Sequence, residues 1–282
     1  MRTLILGAKG QLGRDLMEVF AARGAVKGCD LPQLDIADEV ALQPVVEQFA
    51  PTIIINAAAY TDVEGAEDNL QDAFLANETG ARNVAELSAY HQIPVVYFST
   101  DYVFDGTKNA PYVPSDPVAP LGVYGESKAA GEAATRITNA RHFIIRTAWL
   151  YGPGGNNFVE KIIQAAETRP KLRVVDDEIG SPTHTRDLAE ATLALTQTEA
   201  YGTYHAVNAG DCTRYNFAKE ILRLTGIGST LDSCASSEFP TKAPRPRYSV
   251  LDASSLTEAC GYEMRPWQEA LLNYMDRRKV LV

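Results

Sequence analysis

The amino-acid sequence predicts an α/β fold built on a doubly wound parallel sheet, with a second, smaller C-terminal domain. Two observations favour this fold class. Short apolar runs alternate with longer stretches of helical spacing over the first half of the chain. In addition, the run Ile53–Ile55 is continuous and β-branched, which is typical of a strand covered by helices on both faces. Repeated β-α units of this kind form a Rossmann-like sheet with right-handed crossovers.

The predicted strands and helices follow one another in order. The strands are expected at Thr3–Leu6, Ala25–Cys29, Ile53–Ile55, Val95–Phe98 and Phe143–Ile145. The helices are expected at Leu12–Phe20, Val40–Phe49 and Ala73–Tyr90. Because proline lacks the N–H group that a helix interior needs, Pro44 should lie in the first turn of its helix.

The pattern changes after the glycine-rich segment Tyr151–Gly155, where the predicted elements become shorter. Lys242–Arg247 contains too many prolines for a helix or a central strand. We therefore expect a first domain over residues 1–150, completed by parts of 170–208, and a second domain mainly over residues 151–282.

Composition and charge exclude several classes of function. The 282 residues carry a formal net charge of −10, and an acidic surface repels nucleic acid backbones. No apolar run reaches the roughly 18 residues of a membrane span, and none has the form of a signal peptide, so we expect a cytoplasmic protein without a membrane partner. The four cysteines and four histidines show no metal-site spacing, so no metal is expected.

Three glycines follow the first predicted strand and open the first helix. Glycine allows a positive φ and close approach of a ligand to the backbone, and a helix N-terminus offers free N–H groups to a pyrophosphate. Gly7, Gly10 and Gly13 in this context predict a dinucleotide site rather than an ordinary turn. Asp30 ends the second strand, near the roughly 20-residue distance of a carboxylate that binds a ribose 2′-hydroxyl.

A second motif places a tyrosine and a lysine four residues apart, so that Tyr124 and Lys128 share one helix face. A tyrosine pKa near 10 must be lowered for acid–base chemistry at neutral pH, and a nearby ammonium with an oxidised nicotinamide ring would do so. Tyr215 and Lys219 have the same spacing. The motif alone therefore does not choose between the two pairs.

The third motif lies at the carboxyl end of the strand that contains Phe98, where ligands of open α/β sheets bind. Thr100 can donate a hydrogen bond to a substrate carbonyl, and Asp101 can accept one from a sugar hydroxyl. The alternative is an Asp-Gly turn at Asp105–Gly106 with a capping hydroxyl. Two aliphatic hydroxyls and two carboxylates within Ser99–Asp105 favour the site.

In this order, the three motifs resemble the extended short-chain dehydrogenase/reductase family. Further segments are similar to those of the dTDP-4-dehydrorhamnose reductases within it: Asn56–Val63, Ser99–Gly106, Arg146–Gly152, Gly154–Phe158, Gly180–Thr183 and Arg245–Ser249. The resemblance extends from Met1 to about Trp267, nearly the whole chain.

The resemblance implies that the first domain binds the dinucleotide and that the second mainly binds substrate. The implied cofactor residues are Gly7, Gly10, Gln11, Leu12, Gly13, Asp30, Asp35, Ile36, Ala59, Tyr60, Thr61, Phe98, Tyr124 and Lys128. The implied substrate residues are Val63, Thr100, Asp101, Tyr102, Phe104 and Trp149. Trp149 would pack on the sugar nucleotide, although a tryptophan after a buried strand is equally often a core residue.

Cofactor choice depends on two charges near the glycine turn. Asp30 would repel the 2′-phosphate of NADPH and Lys9 would attract it, so we expect use of both NADPH and NADH. Some members of the family bind Mg²⁺ through acidic residues at a subunit contact. Here Asp15 lies on the first helix, but Arg186 stands where a second acid would be needed, so Mg²⁺ is not expected. The expected partners are a nucleotide sugar and, in a homodimer, a second copy of the chain.

The function implied is reduction of the 4-keto group of dTDP-6-deoxy-L-lyxo-4-hexulose to dTDP-L-rhamnose, for cell-surface polysaccharide. C4 receives a hydride, Tyr124 protonates the oxyanion, Lys128 holds the nicotinamide ribose and lowers the Tyr124 pKa, and Thr100 polarises the carbonyl.

Two alternatives remain open at this point. One is an epimerase or dehydratase of another nucleotide sugar. A dehydratase would need a further acid beside Thr100, but the neighbours of Asp101 are Thr100 and Tyr102, not a second carboxylate. The other is a regulatory subunit that binds a nucleotide without turnover. The presence of Thr100, Tyr124 and Lys128 argues against it.

Overall fold

A computed structural model describes residues 1–281 and contains the expected parallel sheet. Its strands are β1 (Arg2–Leu6), β2 (Ala25–Cys29), β3 (Ile53–Asn56), β4 (Val95–Thr100), β5 (His142–Thr147), β6 (Leu150–Tyr151), β7 (Lys171–Val175), β8 (Ile179–Gly180), β9 (Thr183–His184), β10 (Gly202–His205), β11 (Cys212–Thr213) and β12 (Thr230–Cys234). Its helices are α1 (Gln11–Ala21), α2 (Glu39–Phe49), α3 (Val63–Ala66), α4 (Leu70–Phe74), α5 (Gly80–Tyr90), α6 (Val123–Thr138), α7 (Phe158–Thr168), α8 (Thr185–Leu195), α9 (Arg214–Thr225), α10 (Ser254–Cys260) and α11 (Trp267–Leu281).

The central sheet confirms the predicted fold class. Within residues 1–281 it has six parallel strands in the order β2–β1–β3–β4–β5–β10. β1 pairs with β2 on one side and with β3 on the other, so the strand order reverses at β1. Ligands of open α/β sheets bind beyond the carboxyl ends of the strands at such a point. The site is therefore expected beyond Leu6 and Asn56.

Helices cover the sheet on both faces. Ile5 packs with residues of α1 and α8, whereas Leu4 and Leu6 pack with residues of α2 and α5 on the opposite face. Successive residues of a strand point to opposite faces, so a strand between two helical layers must be apolar throughout. This arrangement explains the continuous apolar runs in the sequence.

Two helices differ from their predictions. α2 begins at Glu39, where Asp38 accepts a hydrogen bond from the Ala41 N–H group (3.0 Å), and it continues through Pro44 in its second turn. Pro44 therefore does not lie in the first turn. The buried side chains of Leu42 and Val46 on either side of it hold the helix against the sheet.

The long helix predicted to begin at Ala73 begins at Leu70 and is interrupted by a π-helical turn at Leu75–Thr79, between α4 and α5. Such turns are rare and occur frequently at functional sites. Asn77 is buried within this one.

The chain after residue 150 divides its elements between two cores. α8 packs against the central sheet, and β10 forms its edge strand. α7, α9 and α11 surround a second core with Phe217 and Leu271 at its centre, and β7 and β12 form a two-stranded sheet beside it. Over residues 1–281, none of the helices is long and apolar enough to cross a membrane.

Candidate active site

The glycine turn after β1 has the geometry of a ligand cradle. Gly7 has φ +80°, and a Cβ there would lie 2.5 Å from the Ala58 backbone nitrogen. A Cβ at Gly13 would collide with the Gly7 carbonyl oxygen. At Gly10, in contrast, a Cβ would meet only that same oxygen, at 3.3 Å. The first and third glycines are thus required by packing, whereas the second leaves the helix terminus open.

The N-terminus of α1 fits a pyrophosphate group. Its first backbone N–H groups, at Gln11, Leu12 and Gly13, have no partner within the helix. No side chain caps the helix, and its first turn contains no acidic residue. Its N–H groups and positive dipole end therefore remain available to an anion. Gln11 also reaches across the site, where its amide donates to the Leu150 carbonyl oxygen (3.4 Å).

Asp30 and Lys9 lie together at the end of β2. The Lys9 backbone N–H group donates to Asp30 Oδ2 (2.6 Å), and the Leu31 N–H group donates to Oδ1 (2.8 Å). The Lys9 ammonium donates to the Leu31 carbonyl oxygen (3.1 Å). The two opposite charges that were expected to set the cofactor preference are therefore neighbours.

The remaining predicted cofactor residues lie around the same edge of the sheet. Ala59 and Tyr60 are half-buried beyond β3, Thr61 and Asp35 are exposed, and Ile36 is buried. Phe98 is buried in the core that contains Leu12.

Thr100 and Tyr124 are brought into contact although they lie on different elements. Thr100 is the last residue of β4 and Tyr124 the second residue of α6. The Thr100 side chain is close enough to the Tyr124 phenol to act to lower its pKa. Lys128 lies one helical turn further along α6, is 3% exposed, and places its ammonium 4.3 Å from the centre of the Tyr97 ring.

Burial controls the protonation of this group. It raises the pKa of Tyr124 well above its usual value, and the neighbouring Thr100 side chain only partly opposes this. Burial also lowers the pKa of Lys128 to about 7, although the Glu132 charge acts to raise it. The predicted lowering of the Tyr124 pKa by Lys128 is not found in the protein alone, because the burial of the tyrosine is the larger effect.

Asp101 and Tyr102 continue from Thr100 in a short 3₁₀ turn. Asp101 accepts a hydrogen bond from the Thr100 hydroxyl (3.1 Å), and burial raises its pKa to about 6 against the influence of Ser249 and Arg214. The Tyr102 ring packs edge-on against Tyr124 at 5.7 Å between ring centres.

Trp149 follows β5 in the left-handed conformation, with φ +45°. The Arg214 guanidinium lies 3.5 Å from the centre of its ring. On Gly180, a Cβ would approach to within 2.5 Å of Trp149. Trp149 is partly exposed, and its ring lies against Arg214 and Gly180.

Two of the predicted substrate residues lie in different surroundings. Val63 is the half-buried first residue of α3, beyond the end of β3. Phe104 is fully buried, stacked on Tyr112 at 4.1 Å between ring centres, with Arg146 over its ring. Phe104 is thus a core residue that leaves no surface for a substrate.

The second tyrosine–lysine pair does not join the site. Tyr215 and Lys219 lie on α9, where Tyr215 packs partly buried against the second core and Lys219 is exposed. Tyr215 therefore contributes to the packing of the second core.

The sequence did not predict a role for Asn77, which forms hydrogen bonds with residues of three different segments around the site. Its side-chain oxygen accepts from the Tyr60 N–H group (2.9 Å), and its amide donates to the Tyr60 carbonyl oxygen (3.1 Å) and to the Ser127 hydroxyl (2.9 Å). Its own carbonyl oxygen accepts from the Tyr97 hydroxyl (3.1 Å), beneath Lys128. Nothing in the sequence of the predicted helix Ala73–Tyr90 distinguishes it from the second asparagine there, Asn83.

The buried ion pair of Glu132 and Arg146 was also missed. Its guanidinium–carboxylate contacts measure 2.8 Å and 2.7 Å. Glu132 lies one turn after Lys128 on α6. The spacing of four residues from Tyr124 to Lys128 and from Lys128 to Glu132 could have predicted that Glu132 lies on the same helix face.

Asp15 and Arg186, the two positions considered for Mg²⁺, both form ion pairs. Asp15 accepts from the Thr185 hydroxyl (2.5 Å) and pairs with Arg277 (2.8 Å). Arg186 pairs with Glu18 (2.5 Å) and with Glu190 (2.6 Å). Among the described residues there is no group of three or more His, Cys, Asp or Glu side chains that could hold a metal ion.

Known proteins resemble this chain over nearly its full length. A family described as the RmlD substrate binding domain matches residues 1–280. The spore coat polysaccharide biosynthesis protein SpsK of Bacillus subtilis (strain 168) is 41% identical, over 98% of this chain and 98% of its own. The dTDP-4-dehydrorhamnose reductase of Aggregatibacter actinomycetemcomitans is 36% identical, over 96% and 97%. The crystal structure of dTDP-4-dehydrorhamnose reductase from Bacillus anthracis in complex with NADP is 39% identical, covers 98% of this chain and 99% of its own, and has a TM-score of 0.95.

Proposed function

The chain belongs to the RmlD substrate binding domain family, and we propose that it reduces the 4-keto group of dTDP-6-deoxy-L-lyxo-4-hexulose to give dTDP-L-rhamnose. It is an NAD(P)H-dependent oxidoreductase of the dTDP-4-dehydrorhamnose reductase type. The observation that carries the mechanism is the contact between Thr100 and Tyr124, with Lys128 one turn away, at the same edge of the sheet as the glycine turn.

Tyr124 is the proton donor of the proposed mechanism. Reduction of a ketone leaves an oxyanion that must be protonated, so the donor has to hold its proton at neutral pH. Burial keeps the Tyr124 pKa above its usual value, and the phenol is therefore in the required form. Donation to the C4 oxygen completes the alcohol.

Thr100 and Asp101 bind the sugar in this proposal. The Thr100 hydroxyl donates a hydrogen bond to the C4 oxygen and stabilises the negative charge that develops there. Asp101, buried beside it, accepts hydrogen bonds from sugar hydroxyls. A dehydratase would need a further acid next to Thr100, whereas Tyr102 follows Asp101 here.

Lys128 has two tasks. Its ammonium would hold the nicotinamide ribose, and its charge stabilises the tyrosinate that remains after Tyr124 has donated its proton. Because its pKa is about 7, both tasks depend on the charge of Glu132, which favours the ammonium form.

The residues at the edge of the sheet fit a dinucleotide. The open backbone at Gly10 and the uncapped N-terminus of α1 would hold the pyrophosphate, and Asp30 would bind the adenosine ribose. When bound, the nicotinamide cofactor supplies the hydride that C4 receives. With Asp30 and Lys9 side by side, we propose that NADH and NADPH are both accepted.

The proposal extends to organisation and location. Residues 1–150 with parts of 170–208 form the dinucleotide-binding domain, and residues 151–282 mainly form the substrate domain. The enzyme acts in the cytoplasm, where the nucleotide cofactors are found. It forms a homodimer, for which the half-exposed Leu70 and Leu75 offer an apolar surface.

The test is oxidation of NADH and NADPH by the purified chain with a panel of nucleotide 4-keto sugars. Turnover with dTDP-4-dehydro-L-rhamnose and identification of dTDP-L-rhamnose as product are expected. A preference for the keto sugar of opposite configuration at C5, or for another nucleotide, would refute this substrate assignment. Binding of a sugar nucleotide without cofactor oxidation would favour the regulatory alternative.

A further inference from the structure

The segment Thr241–Arg247, which we call the strap, belongs to neither a helix nor a strand. Two of its seven residues are prolines, which have no N–H group to donate. From Thr241 to Pro246, the strap forms no backbone–backbone hydrogen bond with any described residue. The side chains of Ala243 and Pro246 are buried, whereas Lys242 is exposed. A segment with so few backbone hydrogen bonds and buried contacts opens locally at low cost in free energy.

The strap lies against the elements that carry the proposed proton donor. Gly122 precedes α6 and stands two residues before Tyr124, and a Cβ on it would lie 3.1 Å from the Pro244 ring. Burial raises the pKa of the Tyr102 hydroxyl, and the nearby Arg245 charge is among those that oppose this. The Tyr102 ring in turn packs against Tyr124. The strap therefore forms part of the wall around the proton donor.

Glu64, the second residue of α3, supplies polar contacts that the strap backbone otherwise lacks. Its Oε2 accepts hydrogen bonds from the N–H groups of Lys242 (2.8 Å) and Ala243 (3.4 Å). Its Oε1 accepts from the Arg245 guanidinium (2.9 Å). Burial acts to raise the pKa of Glu64, but these hydrogen bonds lower it below its usual value, so the carboxylate stays ionised at neutral pH. One side chain thus holds three residues of the strap.

A second ion pair supports the same contact at the surface. The Lys242 ammonium pairs with Asp68, which lies four residues after Glu64, and the side chains of this pair are 54% and 61% exposed. Ion pairs this exposed stabilise a contact only weakly and are screened by salt. The closed position of the strap therefore depends on contacts that break and form again readily.

Building on the proposed function, we propose that the strap is a movable wall of the active site and that Glu64 is the positioning residue that holds it closed. In the closed position, Pro244 and Arg245 stand beside the elements of the proton donor and keep water away from it. Opening costs little beyond the contacts with Glu64 and Asp68, because the strap has no backbone pairing to lose. It gives substrate and product a path to the solvent. Glu64 needs no contact with the reactants for this role.

Limited digestion of the full chain with trypsin measures the opening without any ligand. Trypsin cleaves after lysine, and cleavage after Lys242 requires that the strap leave its closed position. We expect Glu64→Gln to release the fragment of residues 1–242 about fivefold faster than the wild type does, as for a lost ion pair of this exposure. Glu86→Gln, which removes an exposed carboxylate from α5, is the matched control and should not change the rate. Cleavage after Lys219 of α9 reports unfolding of the second core and should also stay the same.

Kinetic measurements on the same proteins separate this role from a merely structural one. Glu64→Gln should raise the KM for the keto sugar about threefold or more, because a smaller fraction of the protein is closed before binding. Its kcat should stay close to that of the wild type, because bound substrate closes the strap at saturation. Faster cleavage with an unchanged KM would mean that the strap moves without being a wall of the site, and would overturn the proposal.

Asp68→Asn is the second variant should Glu64→Gln fail to fold, and it should also speed cleavage after Lys242. Cleavage at the wild-type rate in the folded variants would overturn the proposal. The result is distinguishable from failure of the proposed function. If the wild type reduces the keto sugar but the variants are cleaved normally, the activity stands and the movable strap is wrong. If cleavage depends on Glu64 but the wild type reduces no keto sugar, the strap opens as proposed and the reaction is wrong.

Discussion

Tyr124 holds its proton because burial outweighs the influences that would lower its pKa. Replacing it by phenylalanine removes the proton donor but keeps the ring that packs against Tyr102. We expect Tyr124→Phe to lower kcat by about 10²–10⁴, with cofactor affinity nearly unchanged. Steady-state cofactor oxidation and a fluorescence titration with NADPH measure the two effects.

Tyr215→Phe provides the matched control for this prediction, since Tyr215 also precedes a lysine by four residues but packs against the second core. Its activity should equal that of the wild type. Turnover by Tyr124→Phe within about threefold of the wild type would show that the wrong tyrosine has been assigned.

The charge of Lys128 should set the alkaline limit of activity. Its pKa of about 7 lies below the usual lysine value, so the ammonium form is complete below that pH and is lost as the pH rises through it. Glu132 on α6 is the charge that favours this form, and it is itself held ionised by Arg146 of β5 and by Arg136. From β4, the Tyr97 ring and the Ser99 hydroxyl face the pair.

We expect Glu132→Gln to shift the alkaline limb of the kcat/KM profile to lower pH, because the remaining burial favours neutral Lys128. The measurement is kcat/KM against pH for the wild type and the variant. Glu126→Gln, which removes an exposed carboxylate from the same helix, should leave the limb in place. An unshifted limb in folded Glu132→Gln would mean that Glu132 only supports the packing of Arg146.

The cofactor preference should depend on two adjacent residues. Asp30→Ala removes the charge that repels a 2′-phosphate and should favour NADPH by about tenfold or more, the value of a charge-assisted hydrogen bond. Lys9→Ala should change the ratio in the opposite direction. The measurement is kcat/KM with NADH and with NADPH for the wild type and the two variants. If the ratio of the two values is the same in all three proteins, neither side chain faces the ribose.

At the scale of one element, the glycines of the turn between β1 and α1 have different roles: Gly13 is required by packing, and Gly10 keeps the backbone open to a ligand. Gly13→Ala forces a methyl group against the Gly7 carbonyl, a backbone atom that cannot rotate away. Overpacking of this kind costs about 1–3 kcal/mol, so the free energy of unfolding should fall by that amount. Denaturant unfolding measures it.

Gly10→Ala makes one tight contact, at 3.3 Å from the Gly7 carbonyl oxygen, and should therefore cost less stability than Gly13→Ala. Its methyl group occupies the place where the backbone faces a pyrophosphate, so affinity for NADPH should fall about tenfold or more, as for a lost charge-assisted contact. If Gly10→Ala destabilises the protein more than Gly13→Ala does, the turn does not divide its tasks in this way.

Across the whole molecule, Trp149 links the central sheet to the second core. It follows β5, and the guanidinium over its ring comes from Arg214, the first residue of α9. A ligand between these parts should alter the surroundings of the indole ring. In Trp267→Phe protein, which retains Trp149 alone, we expect dTDP-L-rhamnose to change the tryptophan emission. Unchanged emission at saturation would assign Trp149 to the core.

Local patterns in the sequence were sufficient to predict the sheet and the glycine turn. They reduced the tyrosine–lysine candidates to two pairs, Tyr124–Lys128 and Tyr215–Lys219, of which the resemblance to the family favoured the first. Each depends on neighbours in the chain: continuous apolar runs for strands inside two helical layers, glycines where packing excludes a Cβ, and a four-residue spacing on one helix. The bounds of the five predicted strands agree with those observed to within two residues at each end.

Only the tertiary structure decided how distant segments meet. Asn77 reaches Tyr60 and Ser127 from a π-helical turn, Arg214 covers Trp149, and Phe104 turns into the core although it lies four residues after Thr100. The periodicity of the sequence within one element does not predict contacts between residues that are far apart in the chain. They form because folding brings the partners together and because a buried polar group must find a partner that can be anywhere in the chain.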